Sequence, residues 1–413
     1  MKTLQAWLRF IEQQHPKSIA LGLDRVAKVF EALKISIDAA VITVGGTNGK
    51  GSTCAMLEAI LGAGGYRTGL YSSPHLLRYN ERVRVAGGEA TDEILCASFE
   101  AVEQARQGVP LTYFEFGTLS ALKIFAEEKI DAAILEVGLG GRLDAVNILD
   151  ADCAVLTSVG IDHVDYLGAD RESIGREKAG IFRKGHAAIV AEPDPPQSVL
   201  LSPGEKLLIG KDFGYQSEPG QWSYWGPGGR RGGLAHPALR GEIQLRNAAA
   251  ALCAIDTLRA RLPVAAQDVR RGLAELTLPG RFQVLPGRPQ VILDVAHNVQ
   301  AAAALARNLG GAGFSPDTYA VCGMLADKDI GGVVDAMRDR IDRWYVCAAQ
   351  ADRAASAAQV AEILFQRHLG ERTRMFATVA SALEAARRDA GPNDRIVVFG
   401  SFYTVAEALR NAR

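Results

Sequence analysis

Short apolar, β-branched runs alternate along this chain with longer stretches whose apolar residues recur at helical spacing, the pattern of a parallel sheet flanked by helices. Strands are expected at Ala40–Val44, Arg67–Tyr71, Ala132–Val137, Cys153–Ser158 and Ala187–Ala191, with helices over Gly51–Leu61, Phe116–Glu128 and Arg171–Ile181. From Ser202 to Arg240 the texture changes to glycine, proline and two tryptophans without helical period, which predicts a short β insertion or an ordered loop. Helices are expected next at Asn247–Arg261 and Ala266–Glu275. The segment Leu276–Arg281 then reads as a hinge, because a second alternation follows, with strands at Val291–Val295, Tyr319–Met324, Arg343–Cys347 and Arg395–Phe399. Two doubly wound α/β domains are therefore expected, residues 1–278 and 279–413.

Composition supports that division. A chain of 413 residues with 48% hydrophobic content can fill two cores. With 46 basic against 47 acidic residues, the net charge of -1 gives no global attraction to nucleic acid or an anionic membrane, so any anion site must be local. No segment approaches the roughly 20 apolar residues of a membrane helix, and Met1–Lys17 has the spacing of an amphipathic helix. The six cysteines are scattered without a Cys-x-x-Cys pair and read as reduced core thiols of a cytoplasmic protein.

The strongest chemical signal is Val44-Gly-Gly-Thr-Asn-Gly-Lys-Gly-Ser-Thr53, a glycine-rich loop between a strand and a helix. Backbone N–H groups, a helix N-terminus and Lys50 would converge on phosphate there, with Ser52 as the natural magnesium ligand. The loop departs from the usual phosphate-loop pattern, since Val44 stands where the first glycine belongs and Gly51 separates Lys50 from Ser52. Further polar groups follow strands at the carboxyl edge of the sheet, where open α/β folds bind ligands. Ser72-Ser73-Pro74-His75 follows one strand; a plain turn would explain it equally well. Glu136 ends an apolar run, where a carboxylate is costly unless paired or metal-bound. Arg142 and Asp144, in the turn Gly138–Asp144, are possible substrate or phosphate contacts. His163, in Asp162-His163-Val164-Asp165, is a reasonable second metal ligand, although a lone histidine is more often structural. On its own pattern, Lys178 reads as part of a solvated, mixed-charge helix face. In the second domain Asp294-Val295-Ala296-His297-Asn298 ends a strand with three polar side chains, and Arg281 would reach a phosphate only if the two domains closed on one cleft.

Taken together these motifs resemble the folylpolyglutamate synthase and dihydrofolate synthase family within the ATP-dependent Mur ligase superfamily. The likeness rests on Gly46–Ser52, Ser72–Leu76, Leu111–Glu115, Leu135–Asp144, Asp162-His163, Arg176–Phe182, Pro279–Phe282 and Asp294–Asn298, and it spans nearly the whole chain. Gly51 is itself a trait of that family. The resemblance implies a phosphate-loop, mostly parallel sheet domain that binds ATP and the pteroate or folate, followed by a smaller Rossmann-like domain that binds glutamate. It implies that ATP phosphorylates a substrate carboxylate and that the amine of L-glutamate attacks the acyl phosphate. Two Mg2+ ions are implied, one on Ser52, Ser73 and Glu136, the other on Glu136, His163 and a carbamylated Lys178. ATP contacts are implied for Asn48, Gly49, Lys50, Gly51, Ser52, Asn247, Arg281 and Asp294. His297 is placed to orient the incoming amine, which makes Lys50, Glu136, His163, Lys178 and His297 the implied catalytic set. Ile19, Leu21, Thr112, Phe114, Asp144 and Ala145 match the positions of the folate end.

Two departures stand out. Gln244-Leu245-Arg246, not a proline-rich approach, precedes Asn247, and the Ser202–Arg240 segment matches no motif. A cell-wall Mur ligase would carry a nucleotide-sugar domain of ~100 residues before the loop, whereas about forty residues precede Val44. A nucleotide-binding switch would need neither the lysine and histidine beside Glu136 nor the polar strand end in the second domain. The motif Leu111–Glu115 favours glutamylation of both dihydropteroate and folates, with a folate-only enzyme as the alternative. A cytoplasmic monomer with no nucleic-acid or membrane partner is expected.

Overall fold

The computed structural model describes residues 2–17 and 19–411; Met1 of the expected first helix and the last two residues of the expected second domain lie outside them. Two compact units are present, residues 1–238 with 244–276, and residues 239–243 with 277–413. The short stretch Leu239–Ile243 groups with the second unit, a detail that hydrophobic patterning does not carry.

The first unit is built on an eight-stranded sheet. In chain order its strands are β1 (Ala40–Gly45), β2 (Thr68–Tyr71), β3 (Val83–Val85), β4 (Gly88–Glu89), β5 (Ala132–Glu136), β6 (Cys153–Leu156), β7 (Ala187–Val190) and β8 (Glu205–Leu208). Their spatial order is β4-β3-β2-β5-β1-β6-β7-β8. Every pairing from β2 to β8 is parallel, and β3 pairs antiparallel with both β2 and the edge strand β4. β1, β5 and β6 are buried along their whole length, as near-continuous apolar strands covered on both faces must be. Trp7, Tyr79, Phe99, Phe116 and Phe125 anchor the core on one face. The amphipathic helix expected at the N-terminus forms as Leu4–Glu12 and turns Trp7 and Ile11 inward.

The register sets up the site. Val44 pairs with Glu136, Gly45 with Leu156 and Tyr71 with Leu135. The loops after β1, β2, β5 and β6 therefore leave the sheet at the same edge.

The Ser202–Arg240 segment forms a β insertion, the first of its two expected readings. Its first part supplies β8, which joins the main sheet, and the rest forms a separate antiparallel sheet of β9 (Gly214–Glu218), β10 (Gln221–Gly226) and β11 (Gly229–Ala235). The helix expected to begin at Asn247 begins five residues earlier and spans Glu242–Thr257. The second unit holds a six-stranded sheet of β12 (Gln283–Leu285), β13 (Gln290–Leu293), β14 (Thr318–Cys322), β15 (Arg343–Cys347), β16 (Thr373–Phe376) and β17 (Arg395–Phe399), ordered β12-β13-β17-β14-β15-β16. Only β12 is antiparallel, and Ile292, Trp344 and Phe399 lie at the centre of its core.

Candidate active site

The loop after β1 is shaped by bonds that only its own residue types permit. Gly46 has φ +146°, and a Cβ there would lie 2.0 Å from Thr157 Oγ1. Thr157 uses that hydroxyl to donate to the carbonyls of Gly45 and Asn48, while Ser158 Oγ accepts from the Asn48 N–H at 2.9 Å. Gly49, at φ +91°, is the N-cap of the helix Lys50–Ala63, and a Cβ on it would stand 2.7 Å from Asn247 Oδ1. Asn247 is therefore packed on the loop itself, its amide fixed by a bond to Gln244 Oε1 at 3.0 Å. Lys50 Nζ donates to the carbonyls of Gly46 and Thr47, so its charge sits over the loop. Ser52 is buried in the first turn, and Thr53, whose hydroxyl donates to Gly49 O, closes that turn.

Beside this loop the strand ends bring their carboxylate and hydroxyl groups together. Glu136 is 5% exposed, and its Oε2 accepts the N–H of Ser73 at 3.1 Å, which ties the loop after β2 to the end of β5. Lys178 is also 5% exposed, so its reading as a solvated helix face is wrong. The helix Arg171–Ala179 turns this side chain into the unit, where burial and the nearby charge of Lys50 pull its ammonium down to about 7 against the opposing pull of Asp162 and Asp144. A near-neutral amine in a buried setting is a nucleophile at neutral pH. His163 takes a left-handed conformation with φ +53°, and its Nε2 lies 4.0 Å from Asp162 Oδ1. Non-glycine residues adopt that conformation rarely, and they do so preferentially at functional sites.

The loop after β5 is held tightly. Asp144 Oδ2 accepts from Leu139 N and Oδ1 from Val146 N, so this carboxylate organises its own loop; burial nevertheless raises it to about 6. Arg142, its fellow candidate, is exposed and pairs with Glu177 at 2.9 Å. The remaining substrate candidates lie on neighbouring segments. Ile19 and Leu21 are half-buried in the connection before the helix Asp24–Leu33. Thr112 caps the helix Tyr113–Glu127, the Phe114 ring lies 5.6 Å from that of Tyr71, and Ala145 is buried.

In the second unit Asp294 follows β13 and accepts from the N–H groups of Phe282 and Ala296, both at 2.9 Å. Burial raises its pKa, and Arg281 opposes the rise. His297 Nδ1 lies 2.9 Å from Val295 O. A carbonyl only accepts, so Nδ1 is the protonated donor of that bond. Asn298 caps the helix Val299–Gly311. Sequence reasoning missed Phe402, whose ring lies 5.1 Å from the Arg281 guanidinium and 6.1 Å from the His297 ring. Its only sequence signal is an aromatic residue three positions after the strand Arg395–Phe399.

Comparison with known proteins places the chain in a family. The Mur ligase middle domain matches residues 44–255, and the Mur ligase glutamate ligase domain matches residues 280–402. The dihydrofolate synthase/folylpolyglutamate synthase of Escherichia coli strain K12 is 46% identical over 412 residues, covering 98% of this chain and 94% of that protein. The chain belongs to the dihydrofolate synthase/folylpolyglutamate synthase family of Mur ligases. As a member of that family it is an ATP-dependent ligase. The E. coli family member solved with DHPP and ADP superposes with a TM-score of 0.93 at 45% identity, covering 99% of this chain and 97% of that one. Another bifunctional family member, solved with Mn, AMPPNP and L-glutamate, gives 0.91 at 45% identity, with 99% and 98% covered. Val44 and Gly51 both lie within the range matched by the middle domain.

Proposed function

We propose that this chain joins L-glutamate to dihydropteroate and to reduced folates, using ATP to activate the acceptor's carboxylate. The observation that carries the reading is the convergence of Lys50, Ser52, Glu136 and the buried Lys178 on one sheet edge. A carboxylate is a poor electrophile and repels a triphosphate, so both charges must be offset before they meet. Lys50 and the loop N–H groups hold the phosphates. The carboxylate oxygen attacks the γ-phosphorus and ADP leaves; the glutamate amine then attacks the acyl carbon and phosphate leaves with that oxygen. His297 orients the amine, Arg281, Asp294 and Asn247 contact ATP, and Ile19, Leu21, Thr112, Phe114, Asp144 and Ala145 receive the folate end. Residues 1–278 thus serve folate and the ATP phosphates, and residues 279–413 serve glutamate and add Arg281 and Asp294 to the ATP contacts.

The donors suit magnesium. Ser52, Ser73 and Glu136 offer the hard oxygen ligands that magnesium takes. Glu136, His163 and Lys178 would hold a second ion. As an ammonium Lys178 cannot ligate, whereas its near-neutral amine can take up CO2 to become a carbamate with two oxygens. When bound, the ions neutralise charge on the transferring phosphoryl group. A cytoplasmic monomer fits this chemistry; no helix of the described residues is long and apolar enough to cross a membrane.

A substrate panel tests the reading. ATP turnover should require L-glutamate together with either dihydropteroate or a tetrahydrofolate. Turnover that ignores both acceptors refutes the ligase reading, and turnover with tetrahydrofolate alone refutes the dual activity.

A further inference from the structure

Three segments of the first unit assigned above to the folate end are joined by specific bonds. Gly22 N donates to Leu143 O at 3.3 Å, which links the 19–22 connection to the loop of Asp144. Glu115 Oε2 accepts from Thr112 N at 2.7 Å and Thr112 Oγ1 accepts from Glu115 N, a reciprocal cap that fixes the start of the helix carrying Phe114. Arg25 joins the two sides. Its Nη2 donates both to Glu115 Oε1 at 2.6 Å and to Ala20 O at 2.8 Å, and its Nε lies 3.4 Å from Glu115 Oε2. Glu115 is 3% exposed and has no other cationic partner among the described ion pairs.

We propose that Arg25 is a positioning residue for the acceptor substrate: by spanning Ala20 and Glu115 it fixes the spacing between the Ile19–Leu21 connection and the Thr112–Phe114 helix start. The inference rests on the proposed assignment of those segments to the folate end. The physical argument is one of preorganisation. Residues 19–23 form no regular secondary structure, so their few bonds hold the connection in one place. Arginine suits the task because one guanidinium can serve a carboxylate and a carbonyl together in a fixed plane, and a lysine ammonium cannot hold the same fork. The bonds of Arg25 and Glu115 run to Ala20, to Thr112 and to each other, and none of them reaches the phosphate loop, so the effect is expected on the acceptor and not on ATP.

The test is steady-state kinetics of Arg25→Lys, Arg25→Met and Glu115→Gln in the full chain, with dihydropteroate, ATP and L-glutamate varied in turn. Glutamine can still accept the Thr112 N–H, so Glu115→Gln loses the ion pair and keeps the helix cap; with Arg25→Lys it covers the case in which Arg25→Met fails to fold. The expected result is a KM for dihydropteroate raised about 10-fold or more in Arg25→Met and Glu115→Gln and less in Arg25→Lys, with kcat and the KM for ATP within about 2-fold of wild type. An unchanged KM for dihydropteroate, or equal losses for all three substrates, overturns the inference while leaving the ligase reading intact. A wild-type enzyme whose turnover ignores dihydropteroate overturns both.

Discussion

Gly49→Ala probes the phosphate loop most sharply, because two independent costs meet at one atom. At φ +91° the residue lies where an L side chain is strained, by about 1–2 kcal/mol. The new Cβ would also stand 2.7 Å from Asn247 Oδ1, and Asn247 cannot retreat readily, being 1% exposed and bonded to Gln244. Overpacking of this kind costs about 1–3 kcal/mol. The backbone can relieve both only by moving Gly49, whose carbonyl accepts the first helical bond from Thr53 N at 3.0 Å. That shift would turn the loop's N–H groups away from the phosphates. If the whole strain of about 2–5 kcal/mol falls on the bound state, ATP binding weakens roughly 30-fold or more. The assay is calorimetric titration with a non-hydrolysable ATP analogue and magnesium, with thermal unfolding measured alongside. Gly62→Ala is the control: it sits exposed in the same helix with nothing within 4 Å of its new Cβ, so it should bind normally and gain about 0.5–1 kcal/mol in stability. Analogue affinity within 3-fold of wild type and an unchanged melting point in Gly49→Ala would refute the reasoning.

Other substitutions separate the remaining claims. Lys178→Ala should lower turnover roughly 100-fold or more, with partial recovery on adding acetate or formate; near wild-type turnover rules out the carbamate role. Asp256→Asn should destabilise the protein by about 3–5 kcal/mol, since the Asp256 carboxylate, 1% exposed, receives Arg231 and Tyr224, both at 2.6 Å, and fastens the β9–β11 sheet to the helix Glu242–Thr257; a denaturation midpoint unchanged from wild type would show the clamp to be idle. Asp144 gives a pH test. Its folded pKa of about 6 stands above the ordinary 3.8, so the unfolded chain loses this proton first. Its stabilising contribution is whole below about pH 4 and is lost as pH rises through 6, by about 3 kcal/mol. The stability of wild type relative to Asp144→Asn should fall by that amount from pH 4 to pH 7, and a difference independent of pH contradicts it.

The central parallel strands were legible because each is a largely buried apolar run, and strands β15 and β17 were read residue for residue. Strands β3, β4, β8, β12 and β16, at or next to the sheet edges, were not. They are two to four residues long and partly exposed, so no apolar run marks them. β9–β11 also escaped assignment as strands, because glycines and exposed polar residues interrupt their alternation and their pairing slips between Trp222 and Tyr224. At the site, Gly46, Lys50, Ser52 and Glu136 could be read from local pattern, since strand, loop and helix are contiguous. Lys178 could not: its helix is rich in charge, and only tertiary packing decides that this one side chain faces inward. The Arg25–Glu115 pair is 90 residues apart in the chain and left no local trace.

The central claim is that ATP activates the acceptor's carboxylate, and it can be followed atom by atom. With dihydropteroate labelled with oxygen-18 in its carboxylate, ATP and L-glutamate, mass spectrometry of the released phosphate should find one labelled oxygen per phosphate, because the carboxylate oxygen leaves with the phosphoryl group when the amine attacks. Phosphate carrying no label, with amide product formed, would contradict it.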